Sequence, residues 1–325
     1  MIVGPVTDLR NYRDYTDRFE ACLGGRVPAV EVHLIHADLQ EGMPFVRKMI
    51  ASAGHLRDRG VDLLSYHLLD DVINDLILHD MLRGRPSLAG LLPDRPFSEA
   101  RDIFDRMIEG LQEAAERFGR PVIAVVHEGI FLDTSELDGL GDQGVAELLG
   151  MFEAAIPSIH RALFGGLDGR AQVFLENSPL NRGMRGDRRH VTDQVLGRMA
   201  PRLGPGEALV LDVSHRFLYE HHVRRDGAEA DAPDGYEDIR AASAFVGWVH
   251  LNDCSPAEGG MEGMPLFQAD SLIDWERLIG LLRSMNAPMI LEIEGAERDF
   301  SLIEGSLSRF RAAWQAAEED GGTER

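Results

Sequence analysis

Eight short apolar, β-branched runs recur along the chain: MIVGPV, AVEVHLI, VDLLSYH, PVIAVVH, AQVFLEN, ALVLDVS, FVGWVHL and PMILEIE. Each has the length of a strand. Between them lie longer stretches whose apolar positions return at helical spacing, such as FSEARDIFDRMIEGLQEAAERFG and SLIDWERLIGLLRSM. Strands that alternate with helices pair in parallel, with the helices packed outside. The pattern predicts an α/β fold, a single (β/α)8 TIM barrel over residues 1–315, followed by a polar tail, 316–325, expected to be disordered. The wide interval from His67 to His127 holds two helical segments, about 70–84 and 97–118, joined by RGRPSLAGLLPDRPF. It reads as a helical insertion between strands 3 and 4, over or beside the barrel mouth. An open doubly wound sheet shares the same alternation. Neither GxGxxG nor GxxxxGK follows an early strand, so its dinucleotide and phosphate-loop forms lose support.

The ends of these runs carry chemistry. Glu176 closes VFLE, Asp212 closes LVLD, His250 closes GWVH and Glu292 closes MILE. Parallel strands bring such residues to one end of a barrel, where catalytic groups of this fold gather. Glu176 by itself is explained by a salt bridge to Arg182, Arg185, Arg188 or Arg189. Four independent salt bridges at equivalent strand tips would be a coincidence, whereas one divalent cation accounts for all four. Mixed carboxylate and imidazole donors suit Mn, Co, Mg, Fe or Zn. His215, just past Asp212, is placed to reach a second metal or a substrate oxygen. His67 and His127 end strands three and four on the same rim, as metal ligands or substrate contacts, and with His215 define a second metal position, making one or two metals per chain. Glu31 and His33 alternate as strand residues and take a structural or supporting role. Asn252 shares the inward side of His250, and it or Asp253 can orient a ligand. Glu294 competes with Glu292 but lies beyond the apolar run.

Composition narrows the partner. A formal charge of -22 repels polyanions, which disfavours nucleic acid and favours a small-molecule substrate. Lys48 is the lone lysine and lies in a helical stretch, so Schiff-base chemistry is disfavoured. Two cysteines, Cys22 and Cys254, form neither a disulfide framework nor a thiolate zinc site, and Cys254 reads as a buried structural thiol. No membrane-length apolar run or leader-like segment appears, which predicts a cytoplasmic protein with no membrane partner and leaves a homo-oligomer open.

With ENSP at 176–179, LDVSH at 211–215, HLND at 250–253 and LEIEG at 291–295, nearly the whole chain resembles the xylose-isomerase-like barrel superfamily. That superfamily includes sugar epimerases, hydroxypyruvate isomerase, inosose dehydratase and endonuclease IV. The resemblance implies that Glu176, Asp212, His250 and Glu292 hold a metal in the ketose-epimerase manner, with His215 on the substrate oxygens. In the endonuclease pattern His67 and His127 join Glu176 at an additional metal. The chain departs from the repair enzyme in lacking a DxH after strand seven, in SPAEGGMEGMPLFQAD, and from xylose isomerase in lacking a lysine at the site.

The expected activity is a divalent-metal-dependent isomerase or epimerase of a small sugar, polyol or hydroxy-keto acid, working through a metal-stabilised enediolate. Glu176 and Glu292 would be its acid and base, with His215 beside them. Arg182, Arg185 and Arg216 are expected to hold a substrate phosphate or carboxylate, and Asn252 to contact substrate. Rival expectations are a two-metal phosphodiester hydrolase, a non-haem iron oxidase and a metal-dependent dehydratase. A non-catalytic binding module is disfavoured, because a pocket rich in ionisable groups is costly without a function.

Overall fold

The computed structural model describes residues 2–35, 44–127, 131–133, 140–167, 169–177, 188–190, 195–226, 233–256 and 261–321. Eight parallel strands close a barrel: β1 (Val3–Asp8), β2 (Ala29–His33), β3 (Leu63–His67), β4 (Val122–His127), β5 (Ala171–Glu176), β6 (Ala208–Asp212), β7 (Val246–Leu251) and β8 (Met289–Leu291). Their order around the ring is β1-β8-β7-β6-β5-β4-β3-β2. Seven strands lie within their apolar runs, and β1 continues two residues past its own, to Asp8. The barrel predicted from the sequence is therefore the fold.

Alternation along the strands sorts residues into two cores. Inside the barrel, Ala29, Ile123, Val125, Phe174, Val210, Trp248 and Ile290 form a closed apolar plug. Their outward neighbours, such as Val30, Ala124, Leu175 and Leu211, join the larger core shared with the helices. The next inward residues toward the strand C-termini are polar: Glu31, Ser65, His67, His127, Glu176, Asp212 and His250. A dry floor thus lies beneath a polar layer.

Register explains how residues far apart in sequence reach one level. His33 pairs with His67, but His67 pairs with Val125, so the next polar tip, His127, stands two residues higher on β4. His127 pairs with Glu176, Glu176 with Val210, and Asp212 with His250. The same two-residue step recurs between β5 and β6 and between β7 and β8, where His250 pairs with Ile290 rather than Glu292. This is the stagger that tilts the strands of an eight-stranded barrel.

The expected insertion is present as two helices, α3 (Asp70–Leu82) and α4 (Phe97–Phe118), numbered after α1 (Tyr12–Leu23) and α2 (Pro44–Asp58). α4 buries Ala100, Phe104, Met107, Leu111, Ala114 and Phe118, the stripe its periodicity predicts, and ends at Gly119 in the left-handed region (φ 82°). α3 is different. Nearly every residue from Val72 to Leu78 is buried, so it is a sandwiched helix rather than an exposed flap. The remaining long helices are α5 (Gly141–Phe164), α6 (Val213–Asp226), α7 (Gly235–Ala242), α8 (Trp275–Leu282) and α9 (Ser301–Gly321).

Residues 316–321, expected in a disordered tail, continue α9 instead. Trp314 Nε1 donates to Glu318 Oε1 at 2.9 Å within the helix, and Arg283 donates to the carbonyl of Ala317, which ties the last turns to the body. Two antiparallel pairs were not legible in the sequence: Phe131–Asp133 with Arg188–His190, and Asp253–Ser255 with Met261–Met264. Among the described residues, no helix is long and apolar enough to cross a membrane.

One buried histidine belongs to the scaffold. His160 on α5 is 2% exposed, packs edge-on to Phe164, and neither ring nitrogen has a hydrogen-bond partner among the described residues. Burial depresses its pKa to about 4. A depressed folded value means the unfolded chain binds the proton first. The neutral ring's contribution is therefore complete above about 6.5 and lost as pH falls toward about 4, at most about 3 kcal/mol. Urea unfolding at a series of pH values should show His160→Leu losing less stability than the parent over that window. Parallel curves would refute it.

Candidate metal centre

Four side chains from β5, β6, β7 and the residue after β8 converge at the barrel's C-terminal end. Glu176, Asp212, His250 and Glu292 each offer a donor atom, all within 4.8 Å of one another. His250 Nδ1 lies 3.2 Å from Glu176 Oε1, 3.0 Å from Glu292 Oε2 and 3.9 Å from Asp212 Oδ2. Its other nitrogen, Nε2, is 3.0 Å from Glu31 Oε1. Glu31 is fully buried, accepts from Ser65 Oγ at 2.8 Å and reaches His33 Nε2 at 3.0 Å. A carboxylate on Nε2 keeps the proton there and turns Nδ1 toward the cluster.

A second set shares Glu176. His67, His127 and Glu176 also bring donor atoms within 4.8 Å of one another. His67 Nε2 is 3.0 Å from Glu176 Oε2, and His127 Nε2 is 3.5 Å from Oε1. Both rings are anchored from behind: His67 Nδ1 donates to the carbonyl of Leu68 at 3.2 Å, and His127 Nδ1 to Asp70 Oδ2 at 2.7 Å. Asp70 opens α3, so the inserted helix supplies a group that fixes a barrel histidine.

The charge state follows from these contacts. Burial alone would push the Glu176 carboxyl up, but the imidazoles of His250 and His127 hold it well below the usual range. For Glu292, burial is likewise outweighed by His250 and His33, leaving it at about 2. Burial opposes charge on His67 and His250, yet the facing carboxylates raise His67 to about 9 and His250 well above the ordinary value. Asp212 goes the other way. Burial raises it, His215 opposes, and the nearby charges of Glu292 and Glu176 add to the rise.

That last effect tests whether a cation fits. Among the described residues, no lysine or arginine pairs with Glu31, Glu176, Asp212 or Glu292, so these buried carboxylates repel one another with only histidines between them. A divalent ion satisfies the donor set without protonating it, and oxygen with imidazole nitrogen suits the hard and borderline metals. The donors are suited to divalent metal.

No family model matches the sequence, and no curated protein matches it. Solved structures do. A mannonate dehydratase from Streptococcus suis superposes with a TM-score of 0.62 at 10% identity, over 99% of this chain and 96% of that one. A 3-keto-D-glucoside 4-epimerase from E. coli gives 0.58 at 13%, over 96% and 99%. Endonuclease IV from Thermus thermophilus gives 0.52 at 15%, over 97% and 100%. The chain shares the closed TIM-barrel fold of these proteins. Similarity at this level of identity establishes the architecture and leaves the reaction to the site.

In this barrel His215 stands at the edge of both clusters. Its Nδ1 donates to the carbonyl of Asn177 at 2.8 Å, and lies 3.5 Å from Glu176 and 3.6 Å from Asp212. Its Nε2 faces Glu262 Oε2 at 3.5 Å. Asn252 turns from substrate to ligand: its Nδ2 donates to Asp212 Oδ2 at 2.6 Å while its Oδ1 accepts from the Ser214 amide at 3.1 Å, so it aims the carboxylate. Asp253 points away and gathers Ser271, Gln268 and Trp275 around itself. Cys254 is buried, as expected of a structural thiol.

Arg216 is a correction. Expected on a substrate anion, it is fully buried, with Nε donating to Asp238 at 2.7 Å and a terminal nitrogen to the Pro233 carbonyl at 2.7 Å. One residue along α6 turns the side chain by about 100°, from the barrel mouth to the outer wall. Arg182 and Arg185 lie outside the described residues.

Three supporting groups escaped sequence reading or were undervalued. Asp70 lies on a helix start, where its only signal was proximity to the end of β3. Glu262 belongs to the short hairpin that occupies the stretch in which the DxH was missed. Glu31 showed inward alternation, yet its contact with His250 depends on barrel closure.

Proposed function

We propose that the protein is a divalent-metal-dependent isomerase or epimerase of a small hydroxylated substrate. The observation that carries this reading is the placement of Glu176 and Glu292 on two sides of His250 Nδ1, at 3.2 and 3.0 Å. Their strands are separated around the ring by β6 and β7. Glu176 is sealed at 1% side-chain exposure, while Glu292 keeps 25% and borders an open cavity.

Glu176, Asp212, His250 and Glu292 would hold the cation, which when bound polarises an adjacent carbonyl or hydroxyl and acidifies the neighbouring carbon-bound proton. Glu292, held as a carboxylate, accepts that proton on the open side, and Glu176 serves the opposite face. His215, anchored through Nδ1 to Asn177, presents Nε2 to a substrate oxygen. Asn252 keeps Asp212 in place throughout.

Metal-loaded protein incubated in deuterated water with a panel of ketoses and hydroxy-keto acids should wash deuterium into one carbon position of a turned-over substrate. Glu292→Gln should lower that exchange roughly 100-fold or more. Undiminished exchange in the variant would remove Glu292 from the chemistry.

The His67, His127 and Glu176 set favours a second reading, a two-metal hydrolase of phosphodiesters, because Glu176 belongs to both donor sets and would serve a metal at either. Turnover of bis(4-nitrophenyl) phosphate that rises with the second equivalent of metal would select it. Iron in both positions with oxygen-dependent turnover would select an oxidase instead.

A further inference from the structure

The layer of polar side chains is broken at β1. There the inward residue opposite Glu31 is Val6, which leans on the inner plug, whereas the neighbouring strands place Glu31 and Ser65 at that level. Above this gap a cavity of about 440 Å³ opens between the ends of β1, β2 and β8. Glu292 lines it, and His33, 3.5 Å from Glu292, stands at the boundary with the metal centre. The volume equals that of about fifteen water molecules at roughly 30 Å³ each. A triose held at Glu292 would leave most of it to solvent.

Tyr15 points to what fills the rest. This residue stands on the first turn of α1, packs its ring edge-on to Phe300 with centroids 5.0 Å apart, and lines the cavity at 6% exposure. Its hydroxyl is neither sealed inside the protein nor bonded to any described residue. Burial raises its pKa, with the carboxylates of Glu297 and Asp8 adding to the rise and Arg18 opposing it, so it remains a neutral phenol. Glu297 and Asp8 both line the cavity, which places the hydroxyl on that side. A largely buried phenol normally has a hydrogen-bond partner, and the one missing here comes from whatever occupies the cavity.

The remaining wall selects neutral groups. Among the described residues no lysine or arginine lines the cavity, and Arg18 is stacked over Phe300 at 4.1 Å, so a phosphate or carboxylate would face Asp8, Glu294 and Glu297 without a cation. An amine gains little either. The two oxygens of Asp8 already accept from the Arg10 and Asn11 amides and the Asn11 side chain at 2.6–2.9 Å, and Glu294 and Glu297 are exposed, where water screens their charge. Hydroxyl groups both donate and accept, which suits a wall that mixes a phenol with carboxylates, and the C–H face of a carbon chain suits Val6 and Ile35.

We propose that this cavity receives the distal carbons of an uncharged, polyhydroxylated substrate of hexose size, and that Tyr15 sets the specificity by donating its hydroxyl hydrogen to one of their oxygens. The inference rests on the reading of Glu292 as part of the reacting centre. Tyr15 stands away from the reacting carbon and takes no part in moving its proton.

The test is calorimetric titration of metal-loaded protein with neutral D-aldohexoses, D-ketohexoses and hexitols, set against D-glyceraldehyde for size and against D-glucose 6-phosphate and 6-amino-6-deoxy-D-glucose for charge. At least one neutral compound of hexose size should bind on the order of tenfold tighter than glyceraldehyde, and tighter than either charged sugar. Tyr15→Phe, which keeps the ring on Phe300, should lower that affinity on the order of fivefold and leave glyceraldehyde binding, metal content and unfolding midpoint unchanged. Tyr12→Phe removes from the same helix a hydroxyl that meets Arg13 instead, and should bind as the parent does. The proposal is overturned if no neutral hexose-sized compound binds, if the phosphate or the amine binds tightest, or if the two tyrosine variants behave alike. Deuterium exchange on the same samples keeps the two readings apart. A Tyr15-dependent preference with no exchange leaves the cavity standing and dismisses the isomerase, whereas exchange confined to glyceraldehyde or the phosphate does the reverse.

Discussion

Replacing Glu176 with alanine should empty both metal positions at once. Its two oxygens meet His67 at 3.0 Å, His250 at 3.2 Å and both His127 and His215 at 3.5 Å, and among the described residues no other carboxylate belongs to both donor sets. Losing one ligand from a site typically weakens metal affinity far more than losing a supporting hydrogen bond, which alone gives roughly 10–100-fold. Here one substitution removes a ligand from each set. Elemental analysis after dialysis, with calorimetric metal titration, should find the variant near zero while His67→Ala keeps the first metal. The alanine variant also strands buried histidines opposite a void, an effect of about 3–5 kcal/mol for a broken buried pair. Glu176→Gln preserves the volume and tests ligation in a folded chain. Full metal occupancy in the glutamine variant would remove Glu176 from the centre.

Gly4→Ala should be nearly as damaging for a different reason. A methyl on Gly4 would stand 1.8 Å from the carbonyl oxygen of Ala29 and 3.1 Å from Ile290 Cδ1. The first atom is backbone on the neighbouring strand β2, which cannot rotate aside, so β1 and β2 must separate where the barrel closes between its first two strands. Overpacking of a core costs about 1–3 kcal/mol when side chains can yield, and a backbone clash belongs above that range. Urea unfolding followed by circular dichroism should show a loss of about 3 kcal/mol or more, or insoluble protein. Gly25→Ala, with nothing within 4 Å of the added carbon, is the matched control and should behave as the parent. Equal stability of the two variants would contradict the packing described for the inner wall.

The sequence made the barrel legible because two periodicities agree along its whole length. Apolar runs of strand length alternate with helical stripes, and each strand then ends in a polar residue that could not be buried alone. Glu176, Asp212, His250 and Glu292 stood out for that reason, and the structure gathers those four. His67 and His127 stood out less, since a lone histidine at a strand end also fits a packed core, but their convergence on Glu176 needs only the register of β3, β4 and β5.

What could not be read depends on direction rather than identity. Arg216 follows His215 by one position, and adjacency looked like proximity until the helix turned it onto Asp238. Glu262 reaches the centre only because a short hairpin folds back over the mouth. His221 and His222 looked like loop residues in YEHHVRRDG, yet α6 continues through them to Asp226. Local polarity gave no hint of that, because tertiary packing sets the end of this helix more than propensity does.

The contact between Asp70 and His127 makes the two metal positions unequal partners. One is framed wholly by strands of a closed ring and the residues at their tips. The other relies on a carboxylate delivered by the inserted helix α3. Were both positions loaded, the grip on an ion at His127 would be only as firm as the seat of Asp70 at the start of α3, and Asp70→Asn should loosen that ion while the strand-framed one stays.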